Sequence, residues 1–168
     1  MIALGIDPGT ATTGYGVVKD APDGRLFELC NGVIRTNSKT PYPARLKKIH
    51  DGITGIIDQY KPQVIAIEQV FFGKNVSTAL SVGQARGVVI LTAVLAGLEL
   101  FEYTPIQVKE AVTGYGRAEK MQIQQMVKVL LGLTRIPKPD DAADALAVAI
   151  CHLHSYRMRN TMGIGREI

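Results

Sequence analysis

Met1-Ile-Ala-Leu-Gly-Ile-Asp-Pro-Gly-Thr10, continued by Gly14-Tyr-Gly-Val-Val-Lys19, is the stretch whose reading decides the fold. Ile2 to Ile6 is a short apolar run with β-branched residues, the signature of a buried strand. The run reaches Asp7 and is stopped by Pro8-Gly9, a strong turn signal. Gly14 to Lys19 reads as a second strand, close enough to return antiparallel as a hairpin. One carboxylate therefore stands at the end of a central strand, where open sheets place their ligands. Asp is also a common turn residue, so Asp7 gains a chemical meaning only if other acids converge on the same strand end.

They do so twice. Gln63-Val-Ile-Ala-Ile-Glu68 is another short apolar strand ending in an acid. Asp140-Asp-Ala-Ala-Asp-Ala-Leu-Ala147 opens the last helix, and Asp141 and Asp144, three apart, share one of its faces. Acids at a helix start interact favourably with its dipole, and Asp140 alone would serve as the N-cap. Three carboxylates in five residues exceed that need and call for cations. Asp7, Glu68, Asp141 and Asp144 thus form a candidate all-oxygen cluster. Hard oxygen ligands select Mg²⁺ or Mn²⁺ over zinc. Two such ions, about 3.5–4 Å apart, would activate water and stabilise the leaving oxygen of a phosphodiester. Histidine offers no competing pattern: His152 and His154 point to different helix faces and His50 stands alone.

Between these acids the chain alternates strand and helix. Arg25 to Thr36 reads as a third strand with Gly32 as a bulge. Tyr42 to Tyr60 is an amphipathic helix built on Leu46, Ile49, Ile53, Ile56 and Ile57 and broken by Pro62. Val76 to Leu98 is a long helix, apolar almost all round in its second half, which must be covered on more than one face. Glu99 to Thr104 is a fifth strand, and Pro105 starts a short helix through Val112. Ile123, Met126, Val127, Leu130 and Leu131 commit one face of the next helix to the core. The last helix is expected to run from Asp140 to about Arg157. Together these predict an α/β protein with a five-stranded mixed sheet flanked by helices on both faces. Residues 1–157 form one domain in this reading, and residues 158–168 a flexible tail.

Composition narrows the class. The 168 residues are 46% hydrophobic and 20% charged, as in ordinary globular domains. The start lacks a basic region followed by an apolar one, so no signal peptide is expected, and Gly87 to Leu98 is too short to span a bilayer. Two cysteines, Cys30 and Cys151, predict buried thiols in a reducing compartment. A cytoplasmic location is expected. The net charge of +4 permits nucleic-acid binding without requiring it.

Taken in order, Gly5-Ile-Asp-Pro-Gly-Thr10, Gly14-Tyr-Gly16, Ala66-Ile-Glu-Gln-Val-Phe71, Gly83-Gln-Ala-Arg-Gly87, Gln107-Val-Lys109, Ala118-Glu-Lys120 and Asp141-Ala-Ala-Asp-Ala-Leu146 resemble the RuvC family of bacterial crossover-junction endodeoxyribonucleases. The likeness runs from about Ile2 to about His154. It implies a ribonuclease H-like fold, a homodimer, Mg²⁺-dependent resolution of Holliday junctions in DNA recombination and repair, and cooperation with RuvA–RuvB. It assigns Asp7, Glu68, Asp141 and Asp144 to catalysis and metal binding. It gives Lys109 and Lys120 a catalytic role and Phe71 a contact with junction bases. Those roles make physical sense, since a lysine beside the acids can hold a scissile phosphate and soften developing charge. Phe71-Phe-Gly-Lys-Asn75 follows Glu68 directly, and either Phe71 or Phe72 could stack on an unpaired base. Lys74, Arg86, Lys109, Arg117 and Lys120 are the candidate DNA-binding cations. Asp-Pro-Gly-Thr before a glycine-rich strand also resembles the phosphate loop of actin-like ATPases and sugar kinases, which need a second similar domain. A non-catalytic junction-binding module is the third alternative, and it has no need of all four acids.

Overall fold

The computed structural model describes residues 1–69 and 76–162, with the side chains of 76–78 and 162 excepted. The strands are β1 (Ile2–Asp7), β2 (Thr12–Asp20), β3 (Leu26–Arg35), β4 (Val64–Glu68) and β5 (Glu99–Tyr103). The helices are α1 (Tyr42–Tyr60), α2 (Val76–Leu95), α3 (Pro105–Thr113), α4 (Lys120–Leu130) and α5 (Asp140–Met162). The sheet order is β3-β2-β1-β4-β5, with antiparallel β1–β2 and β2–β3 pairs and parallel β1–β4 and β4–β5 pairs. The five-stranded mixed sheet expected from the sequence is therefore present.

Side-chain alternation sorts the strands onto two cores. Leu4, Ile6, Val17, Ile65 and Ile67 point to one face, where they meet Ile49, Ile53 and Ile57 of α1 and Ala85, Val89 and Ala93 of α2. Ala3, Val18, Ala66 and Tyr103 point to the other, covered by α3, α4 and α5. Covered on both faces, β1 and β4 carry continuous apolar runs rather than an alternating pattern. In that alternation Asp7 and Glu68 follow Ala3 and Ala66 in phase, so both acids project to the α5 side.

Helix ends follow local chemistry. Thr104 and Gln107 form a reciprocal capping box at the start of α3, and Pro105 occupies its first turn. α1 ends with Lys61 in the left-handed region (φ 48°), immediately before Pro62. α2 stops at Leu95, three residues short of the expected end. Gly97 there takes φ 67°, and the Leu98 and Gly97 amides donate to the Ala93 and Val94 carbonyls in a Schellman closure.

Two further expectations are corrected. The bulge in β3 is not at Gly32: Val17 pairs with Cys30 and Val18 with Glu28, leaving Leu29 as the extra residue. Gly32 instead makes room for the Tyr15 ring, whose hydroxyl oxygen lies 2.6 Å from where a β-carbon would stand. α5 does not end near Arg157 but continues to Met162. Arg157 bonds the Gly24 carbonyl and pairs with Asp20, while Arg159 lies 5.7 Å over the Phe101 ring, so basic side chains anchor a turn that lacks apolar periodicity.

Candidate active site

The site is built where the ends of β1 and β4 meet the first turns of α5. Close approach of α5 to the sheet is possible because β1 and β2 present Gly5, Gly14 and Gly16 beneath its first turns. A β-carbon on Gly5 would lie 2.0 Å from the Ala145 carbonyl oxygen, and one on Gly14 2.0 Å from that of Asp141. At Gly16 the obstacle would be the Leu146 side chain at 2.7 Å. These glycines serve packing, and α5 settles directly on the strands. Asp141 and Asp144 are thereby brought over the end of β1.

A cleft of about 200 Å³ opens there, lined by Glu68, Lys109, Lys120 and Asp144 among others. Lys120 begins α4 and donates a 3.0 Å hydrogen bond to Asp144, with Asp140 3.5 Å away. Burial works against the Lys120 charge, but Asp144 and then Asp140 outweigh it and hold the ammonium above its usual pKa. The Asp7 carboxyl is pushed up to about 7, first by burial and then by the charges of Asp144, Glu68 and Asp141. Glu68 and Asp144 are raised as well, each chiefly by burial; Asp144 adds to the Glu68 shift, whereas Lys120 opposes that of Asp144. The four acids thus share one electrostatic field. Among the described residues no three acid, histidine or cysteine side chains close on a single point as a coordination shell.

The residues nonetheless suit a hard divalent cation. All four donors are carboxylates, and a carboxyl held at about 7 by burial and then by its neighbours' charge is relieved by positive charge.

The other sequence-derived candidates divide. Lys109 is half-buried on α3 and lines the cleft beside Glu68. Arg117 is exposed just before α4. Arg86, expected to meet DNA, forms a 2.6 Å ion pair with Glu102 of β5 and is a strut between α2 and the sheet. Phe71, Phe72 and Lys74 lie outside the described residues. Asp140, expected as an N-cap, lies within α5, and its carboxylate pairs with Lys138 at 3.1 Å.

Sequence reasoning missed Lys138, which shares Asp140 with Lys120 and places a further cation at the rim. His152, set aside as a ligand on sequence, is buried in the core: its Nδ1 lies 2.9 Å from the Tyr103 hydroxyl and its ring packs on Phe101. Burial, followed by the Arg159 charge, pushes that imidazole down to about 4, so it is a neutral core group. His50 and His154 likewise find local partners, in Thr92 and the Ala111 carbonyl.

A mixed sheet of this order, with acids ending its first and fourth strands and two more on the helix across them, is the arrangement of ribonuclease H-like nucleases. The family model for crossover junction endodeoxyribonuclease RuvC matches residues 3–152. A RuvC of Rubrobacter xylanophilus is 54% identical over 165 residues, covering 98% of this chain and 92% of that protein. One of Desulfitobacterium hafniense is 55% identical over 163 residues, covering 97% and 98%. The solved structure of T. thermophilus RuvC in complex with Holliday junction substrate superposes with a TM-score of 0.87 at 34% identity, covering 94% of this chain and 96% of that one. The chain belongs to the RuvC family of crossover junction endodeoxyribonucleases, which are metal-dependent nucleases.

Proposed function

We propose that this protein resolves Holliday junctions, nicking paired strands symmetrically in DNA recombination and repair, with Asp7, Glu68, Asp141 and Asp144 holding two Mg²⁺ ions for which Mn²⁺ can substitute. The observation that carries the reading is the Asp7 carboxyl held at about 7 by burial and three neighbouring acids. Bound cations would neutralise that cluster, generate hydroxide from water and stabilise the departing 3′ oxygen. Lys120, which now donates to Asp144, would be free to donate to a non-bridging oxygen of the scissile phosphate if Asp144 held a cation. Lys109, across the cleft, would fix a neighbouring oxygen. Lys138 and Arg117 extend the positive rim along which a phosphate backbone would lie. Phe71 or Phe72, with Lys74, would meet the junction next to Glu68. The nuclease unit runs through the end of α5 at Met162.

The working form is a homodimer paired through α2. Leu80, Leu91, Val94 and Leu95 are 63%, 56%, 66% and 68% exposed, and a β-carbon on Gly83 or Gly87 would meet nothing within 4 Å. These positions form one stripe with room for close backbone approach. Two symmetric nicks require two active sites on one junction, which a two-fold dimer supplies. Action on DNA places the protein in the cytoplasm, in cooperation with RuvA–RuvB. Among the described residues no helix is long and apolar enough to cross a membrane.

Cleavage of a synthetic four-way junction, with and without Mg²⁺, tests the whole reading. Asp7→Asn, Glu68→Gln, Asp141→Asn and Asp144→Asn should each lower single-turnover cleavage by roughly 10²–10³-fold or more while junction binding persists. Near-normal turnover in any of them would remove that residue from the mechanism.

A further inference from the structure

We infer that Gly14 is a positioning residue that sets the separation between the Asp7 and Asp141 carboxylates, an inference that rests on the metal-binding reading above. In the β1–β2 ladder Gly14 is the residue directly opposite Asp7. A β-carbon built on it would lie 2.0 Å from the Asp141 main-chain oxygen, 2.5 Å from its carbonyl carbon and 3.1 Å from its Cβ. Ordinary contact needs about 3.5 Å, so the first turn of α5 would have to retreat by roughly 1.5 Å. The obstacle is helix backbone, and no side-chain rotation relieves it.

Gly14 does not adopt a positive φ, so what the position requires is space rather than an unusual backbone conformation. Gly5 approaches α5 as closely and Gly16 to 2.7 Å, but they meet Ala145, Ala149 and Leu146, none of them an acid. Of the three, Gly14 alone is paired with one proposed ligand and pressed against another. Mg²⁺ demands near-ideal octahedral geometry at about 2.0–2.1 Å, so a displacement on this scale cannot be absorbed by the ion. The missing β-carbon therefore acts as the spacer of the acid pair.

Mn²⁺ binding by the full-length protein without DNA, followed by electron paramagnetic resonance, reads this directly. Gly14→Ala should weaken Mn²⁺ binding by about tenfold or more, the scale of second-shell changes. Gly16→Ala, which presses on Leu146, should lower the melting temperature yet keep Mn²⁺ affinity within about twofold of wild type. Adding Asp141→Glu to Gly14→Ala should recover most of the affinity, because one more methylene spans the widened gap, whereas Asp141→Glu alone should lose about tenfold. That last variant decides the matter if Gly14→Ala does not fold. A folded Gly14→Ala protein with wild-type affinity overturns the inference. So does an equal loss in Gly16→Ala, or wild-type affinity in Asp141→Glu. Wild-type protein that binds no Mn²⁺ would overturn the metal reading and this inference together.

Discussion

The two longest helices, α2 and α5, begin from similar sequences and end in opposite situations. Both are apolar around most of their circumference. α5 is closed by its own chain: Ala145, Leu146, Ala149 and Ile150 are fully buried, between the sheet on one side and α3 and α4 on the other. Among its described side chains α2 buries only Ala85, Val89, Thr92 and Ala93 against the sheet and α1 and leaves a leucine and valine stripe open. An all-round apolar helix therefore says only that cover is needed. Whether the fold or a second copy provides it depends on how many other elements reach that face.

The sharpest way to break the comparison is to truncate a leucine on each helix. Leu146→Ala should cost about 2–5 kcal/mol of folding stability in urea denaturation, as a filled core position does. Leu91→Asp should leave the stability of a monomer nearly unchanged but shift sedimentation at micromolar concentration from dimer to monomer. A stable monomer in the wild-type protein would remove the dimer from the reading.

The acids at the foot of α5 give a second test, with a sign opposite to most carboxylates. Asp7 titrates near 7 in the folded protein, against an ordinary 3.8. Below about pH 4 both folded and unfolded forms are protonated. As pH rises from there to about 7, the folded form keeps a proton that the unfolded form has lost, so metal-free stability falls across that window. Glu68 and Asp144, also raised, add to the same trend. The loss from Asp7 is on the order of 3–4 kcal/mol at most. Denaturation midpoints should therefore decline from pH 5 to pH 8, and millimolar Mg²⁺ or the Asp7→Asn substitution should flatten the decline.

Smaller effects separate the cations. Arg117→Ala should reduce the salt slope of junction binding by about one unit. Arg86→Ala should leave that slope unchanged and instead lower stability, because its guanidinium is occupied by Glu102. At the small end, Lys47→Ala removes an exposed i,i+4 pair with Asp51 and should cost no more than about 0.5 kcal/mol.

The strand ends and their acids were legible because two signals coincide there: an apolar run short enough for a strand, and a turn or acid that ends it. The helix face of Asp141 and Asp144 followed from spacing alone. The contacts that bring the two sets together were not legible. Gly5, Gly14 and Gly16 read as turn or strand glycines, since nothing local reveals that a helix 130 residues later rests on them. The partners of Arg86 and Asp140 escaped for a related reason: a charged residue is read against its sequence neighbours, whereas Glu102 pairs with Arg86 and Lys120 approaches Asp140 through the fold. The end of α5 escaped because Arg157 and Arg159 anchor it by charge and ring contact rather than by apolar spacing.

Chain order carries its own consequence. In chain order β1 precedes α5 by every other element of the fold, yet β1 is the middle strand of the finished sheet and α5 roofs its acid-bearing side. At about 5–20 residues per second, roughly ten to thirty seconds pass before Asp141 and Asp144 can join Asp7. Until α5 is made, the growing polypeptide holds only two of the four proposed ligands, Asp7 and Glu68. A nuclease laid out in this order would gain its full set only after α5 has been synthesised and has docked on β1.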